Sequence, residues 1–282
     1  MIREAAAQDQ SLIASFLGQH ITTSMFLMSN LEQHGIGQSD HPHATRYFMS
    51  FYGAHLRGVF GCTRSGYLMC QHPGLTQDET RAYLHRLESQ TVLGITGVRA
   101  QVDCVVSALT HQGATWQKDA TEPLFSLSLA KLPVSDATIC RPGPDHRDML
   151  IAWYRAHLAE TGLPEHIERC AEMAERAIAE DRTRLLIGPE HQPIGMTSLN
   201  AQAGRAVQVG GVHVVPAHRG QGHAGRMVAA HLLELRQKGA DTAILFAASK
   251  AAAKAYRRIG FQQIGEYRIA MLREAMLVGE AA

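Results

Sequence analysis

No stretch of the 282-residue chain is apolar for long enough to cross a bilayer. The opening MIREAAAQDQ carries an early acid and no apolar core, which argues against a secretory leader. The five cysteines (Cys62, Cys70, Cys104, Cys140 and Cys170) are odd in number, far apart and without a Cys-x-x-Cys pair. They read as reduced thiols filling core space in a cytoplasmic protein. Charge of one sign is also scarce. A formal net charge of +1 argues against bulk electrostatic capture of nucleic acid or an acidic membrane. The 16 histidines form no group at ligand spacing; His41 and His43 of DHPH sit in a Gly/Ser/Asp/Pro loop, so no metal is expected. What is present is 45% hydrophobic and 19% charged residues, the balance of a globular chain with a real core, long enough for one large domain or two smaller ones.

Along the first half, helical spacing ends at Gly35, a fitting C-cap, and TRYFMSFYG and LRGVFGC read as short strands. TQDETRAYLHRLESQ starts a helix on a threonine cap with early acids, VLGITG a strand leading into the helix RAQVDCVVSAL, and LFSLSLAKL alternates as a half-buried strand does. The Pro/Gly-bearing PVSDATICRPGPDH is the expected linker, dividing the chain into domains 1–135 and 136–282. Helices at 146–161 and 164–180 follow. Then come strands TRLLIG, QPIGMTSLNA and AVQVGGVHVV, a helix at 222–238, strand TAILFA, a helix at 250–259 and strand FQQIGEYRIAML. Such alternation predicts an α/β fold with a mixed sheet and at least one parallel pair.

One further absence singles out a site. Between His191 and Leu233 there is no Asp or Glu, while Arg205, Arg219 and Arg226 fall inside. At the centre lies VGGVHVVPAHRGQGHAGRMVAAHLL. Gly210-Gly211 breaks the period-two rhythm of Val207, Val209, Val212 and Val214, as a β-bulge does. Pro216 ends the strand, and Ala224, Met227, Val228, Leu232 and Leu235 lie on one face of the helix that follows. A helix N-terminus leaves about four N–H groups unpaired and carries roughly half a positive charge. Glycines at 220 and 222 would let a phosphate or pyrophosphate reach those donors. Gly220, Gly222 and Gly225 also spell the dinucleotide pattern G-x-G-x-x-G. That pattern needs its first glycine tight against the strand end and an acid closing the next strand, and TAILFAAS has none. No Gly-Lys-Ser/Thr follows for a P-loop.

These residues resemble the acetyl-CoA pyrophosphate motif of the GNAT acyltransferases, V-x-P-x-x-R-G-x-G-x-A, through Val214, Pro216, Arg219, Gly220, Gly222 and Ala224. SKAAAKAYRRIGF is similar to that family's second element through Ala252, Tyr256, Gly260 and Phe261, with Ser249 in place of the usual Asn. The resemblance covers about residues 145 to 275. It implies a GNAT-like fold there, with a second α/β domain before it as a degenerate copy. It also implies acetyl-CoA as co-substrate, its pyrophosphate on the amides of Arg219, Gly220, Gln221, Gly222, His223 and Ala224, with Gly225 completing the turn. The backbone of His213, Val214 and Val215 would hold the pantetheine and thioester carbonyl, Ser249 would touch the coenzyme, and Tyr256 would protonate the departing sulfur. The strand before the glycine turn carries no Glu to act as base. His213 is the titratable candidate there, and Asn200 could position a water. The expectation is an N-acetyltransferase acting on a small amine or peptide acceptor, with no nucleic acid or membrane partner. A non-catalytic acyl-CoA-binding regulator and, more distantly, a nucleotide-dependent oxidoreductase are the rival readings.

Overall fold

The computed structural model describes residues 1–163 and 166–279. In chain order the first half runs β1 (Ile2–Glu4), α1 (Gln10–Gln19), α2 (Ile21–His34), β2 (Thr45–Tyr52), β3 (His55–Thr63), β4 (Tyr67–Gln71), α3 (Gln77–His85), β5 (Thr91–Val98), α4 (Arg99–His111) and β6 (Trp116–Ser128). The second runs β7 (Ile139–Cys140), α5 (Arg147–Glu160), α6 (Ile167–Ala179), β8 (Thr183–Ile187), β9 (Pro193–Ala203), β10 (Ala206–Val214), α7 (His223–Gln237), β11 (Thr242–Phe246), α8 (Lys250–Arg258) and β12 (Gln262–Leu277). The mixed α/β architecture expected from the sequence is present, but the expected strands do not include β1, β4 or β7, and β6 starts well before the alternation of LFSLSLAKL.

The chain forms two compact units, and their boundary differs from the proline-rich linker. Unit 1 is residues 1–122 with 265–282, and unit 2 is residues 123–264. The breaks fall inside β6 at Pro123, which has no N–H for a ladder, and inside β12 at Gly265. PVSDATICRPGPDH instead contains β7, whose two residues are too few to show a period; it pairs antiparallel with β8.

Each unit repeats one plan. In unit 1 the order is β1-β2-β3-β4-β5, antiparallel except for the parallel β4–β5 pair, and Tyr267–Leu277 of β12 lies antiparallel on β5. In unit 2 the order is β7-β8-β9-β10-β11, antiparallel except for β10–β11, and Leu124–Ser128 of β6 lies antiparallel on β11. Each unit therefore takes its sixth strand from the other half of the sequence. No periodicity could reveal this exchange, because an alternating strand reads the same whichever sheet it joins.

Unit 1 buries Phe48, Phe60, Tyr83, Val102 and Val105 in one cluster and Ile13, Leu17, Leu27 and Tyr47 in another. In unit 2, α7 packs Val228, Leu232 and Leu235 against Phe125, Val207 and Leu245, and Tyr256 and Phe261 complete that core. At roughly 1.5–3 kcal/mol per large apolar side chain, this face accounts for the helix forming after a glycine-rich turn that offers it no side-chain cap.

Candidate active site

The site grows from a strand that leaves its neighbour. β10 pairs with β11 only from Ala206–Gln208 to Thr242–Ile244, and its register against β9 shifts at Gln208/Val209 and again between Gly210 and His213. The shift is the bulge signalled by Gly210-Gly211. Gly211 sits at φ +56°, and a Cβ on Gly210 would stand 2.1 Å from the Asn200 amide nitrogen. Asn200 thus packs over the bulge. Past it, the edge of β10 that faced β11 is free of that strand.

The amides of this stretch are not equivalent. Val215 donates its amide to the Ile194 carbonyl at 3.0 Å and packs with Ile194 and Met227, so it cannot serve a ligand. This corrects the expectation for Val215. Its assignment depended on register, which the sequence does not carry. Strand alternation then turns the amides of Val212 and Val214 to the opposite, open edge. Val212, His213 and Val214 all line one cleft of about 500 Å³.

The floor of that cleft is the glycine turn. Gly220 and Gly222 adopt φ +78° and +79°, where an L side chain is strained, and a Cβ on either would project into open space. Gly222 is the N-cap of α7, with no side-chain cap and no acid in the first turn. Gly220, Gly222, His223 and Ala224 line the cleft. Gln221 is exposed beside His223 and Gly225 is buried, and neither is among the lining residues. A Cβ on Gly225 would approach the Ala255 carbonyl oxygen to 3.3 Å, so the third glycine lets α7 pack on α8.

α8 forms the facing wall. Ser249 caps it, its hydroxyl oxygen accepting the Ala252 amide at 3.1 Å. Ser249 and Tyr256 both line the cleft; Tyr256 is 6% exposed, with its ring edge-on to Phe261. His213 is 4% exposed and lies beside Trp153, and its Nδ1 is buried without a hydrogen-bond partner. Burial holds its pKa below the usual imidazole range; Glu160 pulls it up and Arg219 pushes it further down. The ring is therefore neutral at pH 7, as a proton acceptor must be. His223 is also held low, first by burial, then by the positive charges of Arg226 and His218.

Sequence reasoning missed several cleft residues. Glu160, at the C-terminal end of α5, accepts Arg219 Nη2 at 2.7 Å, while Arg219 Nε donates to the Val214 carbonyl at 2.7 Å. His218, Lys254 and Arg258 also line the cleft. Glu160 stands 59 positions from Arg219 and gave no local signal. Lys254 and Arg258 had one, since they lie four apart on an acid-free helix.

The corresponding turn of unit 1 is closed from within. After β4 the His72 amide donates to Gln101 Oε1 at 2.8 Å, and the Cys104 thiol donates to the Leu75 carbonyl at 3.5 Å. Thr76 caps α3, and Glu79 accepts the Thr76 amide at 3.0 Å, filling that helix N-terminus with the chain's own carboxylate.

A family model described as an acetyltransferase (GNAT) domain matches residues 144–264. A comparison with curated proteins finds no match. Among solved structures the chain is similar to a Drosophila protein with a TM-score of 0.69 at 13% identity, covering 96% of this chain and 98% of that one. It is similar to an acetyltransferase of the GNAT family from Colwellia psychrerythraea with a TM-score of 0.51 at 16% identity, covering 96% and 98%. It is also similar to a GCN5-related N-acetyltransferase from Sphaerobacter thermophilus with a TM-score of 0.53 at 14% identity, covering 100% and 97%. At these identities the likeness is one of fold, and it extends over both halves of the chain.

Proposed function

We propose that the GNAT acetyltransferase domain carried by residues 144–264 moves an acetyl group from acetyl-CoA to the primary amine of a small-molecule or peptide acceptor. The observation that carries this reading is one cleft in which a free strand edge, an uncapped helix N-terminus behind two positive-φ glycines, and Tyr256 converge. These features fit a long anionic thioester. The glycine turn suits its pyrophosphate, the Val212 and Val214 amides suit an extended amide-bearing arm, and the two buried rings lie along the same cleft. We take unit 1 to be a degenerate copy, on the evidence of its repeated strand order and self-capped turn.

When bound, acetyl-CoA supplies an acyl group on a leaving group that departs as a thiolate. The chain's own residues do the rest. His213, neutral and shielded, accepts the proton that the ammonium form of an acceptor must lose, directly or through a water. A β10 amide at the open edge donates to the carbonyl oxygen as negative charge develops there. Tyr256 gives its phenolic proton to the sulfur as the carbon–sulfur bond breaks, and the second proton that the nitrogen sheds on forming the amide bond returns to the phenolate through water.

Free-thiol release from acetyl-CoA, scored across a panel of amines, amino sugars, polyamines and peptides, tests the proposal. Release that requires one amine class and fails in Gly222→Val supports it. Binding of acetyl-CoA without release for any amine would favour the acyl-CoA-binding regulator instead.

A further inference from the structure

α8 carries four cations, Lys250, Lys254, Arg257 and Arg258, and no acid. Arg257 is engaged: its guanidinium donates to Gln263 Oε1 at 2.9 Å and lies 5.0 Å over the Phe125 ring. Near the glycine turn, Arg219 has Glu160 and Arg226 has Asp136 at 3.6 Å. Lys254 and Arg258 differ from all of these. Both line the cleft, one helical turn apart, and neither has a hydrogen-bond or carboxylate partner among the described residues. Like charges at that spacing repel and destabilise a helix, and here no acid offsets the cost. Across the cleft His223 is held low, chiefly by burial, and among the described residues the one carboxylate lining the cleft, Glu160, is already paired with Arg219.

The glycine turn meets a pyrophosphate with main-chain amides and a helix N-terminus, so it leaves these two side-chain charges unused. They call for a second, separate anionic group on the same ligand. We propose that Lys254 and Arg258 form a subsite for a phosphomonoester, the 3′-phosphate of coenzyme A, and so select the 3′-phosphorylated coenzyme over its dephosphorylated form. This rests on the acetyl-CoA reading above. A phosphomonoester carries about −1.5 to −2 charges at pH 7 and offers three acceptor oxygens. That suits one guanidinium fork and one ammonium side by side.

Calorimetry on the full chain at low salt, with coenzyme A and with dephospho-coenzyme A as probes, tests the proposal. The two ligands differ only in the 3′-phosphate. The wild type is expected to bind coenzyme A roughly tenfold tighter, the scale of two exposed charge contacts to one dianion. In Lys254→Gln/Arg258→Gln the two affinities should converge, with dephospho-coenzyme A binding within about twofold of its wild-type value, and high salt should narrow the wild-type gap. Both side chains are exposed, so an unchanged melting temperature is expected and verifies that the variant is folded. Equal binding of the two ligands by the wild type, or a preference that survives in the double variant, overturns the subsite. If the wild type binds neither ligand, the coenzyme reading itself fails and the subsite with it.

Discussion

Tyr256 and His213, to which the proposed function gives opposite proton tasks, both reach the cleft from buried positions. Tyr256 is nearly buried against Phe261 and reaches the cleft from α8; His213 reaches it from β10 with an unpartnered Nδ1. A phenol that acts only as charge develops on sulfur contributes to the transition state alone, by roughly 10²–10⁴-fold. Tyr256→Phe should therefore lower kcat by that range, leave KM for acetyl-CoA within a few-fold and hardly move the melting temperature, since the ring remains. Steady-state kinetics showing a wild-type kcat would make Tyr256 a packing residue. The depressed pKa of His213 predicts an acidic limb in kcat/KM that sets in below about pH 6.5, the unperturbed imidazole value, and is absent from His213→Ala. The glycines, Ser249 and Tyr256 were legible in the sequence because each sits in a local pattern. Val215 was misplaced because strand register decides which amides are spent on the sheet. Glu160 was invisible because α5 approaches the turn only in three dimensions.

At the scale of elements, the boundaries of α7, β10 and α8 were legible because hydrophobic period and glycine position agree there. So was the face that α7 buries through Met227, Val228, Leu232 and Leu235, but not the histidine buried with it. His231 lies on it at 1% exposure with neither ring nitrogen hydrogen-bonded, and its pKa is pushed down to about 3, chiefly by burial and then by Arg184, with Lys238 adding to the shift and Asp181 opposing it. Unfolding releases the ring to titrate near 6.5. Between pH 6.5 and about 3 the unfolded chain therefore binds a proton that the folded chain excludes. Stability from this group is complete above pH 6.5 and is lost progressively as pH falls towards 3. His231→Leu should flatten the decline of melting temperature between pH 6.5 and 4 and leave stability at pH 7.5 equal or raised. A decline as steep as in the wild type would mean that other groups govern it. The contrast between α7 and α3 works at the same scale, since one presents bare amides to a cleft and the other answers its own with Thr76 and Glu79.

The exchange of sixth strands governs the molecule as a whole. Tyr267, Ala270 and Leu272 of β12 are buried in unit 1, and Phe125 and Leu127 of β6 are buried in unit 2. A fragment of residues 1–135 keeps its five strands yet leaves β5 without its partner and the core open on that side. It should fail to melt cooperatively by circular dichroism, and a peptide of residues 265–279 added in trans should restore some order. A cooperative transition in the fragment alone would contradict the exchange.

On the proposed function one coenzyme binds per chain, in unit 2, on the glycine turn. Calorimetric titration of the full chain with acetyl-CoA tests it most directly, using wild type, Gly222→Val, and Gly204→Val as the control. Gly204 also has positive φ, +52°, with open space around its Cβ, but lies in the β9–β10 turn outside the cleft, so it reports the cost of backbone strain alone. A stoichiometry of one is expected for wild type and Gly204→Val, and no heat of binding for a folded Gly222→Val. Two molecules per chain, or an unchanged affinity in Gly222→Val, would contradict it.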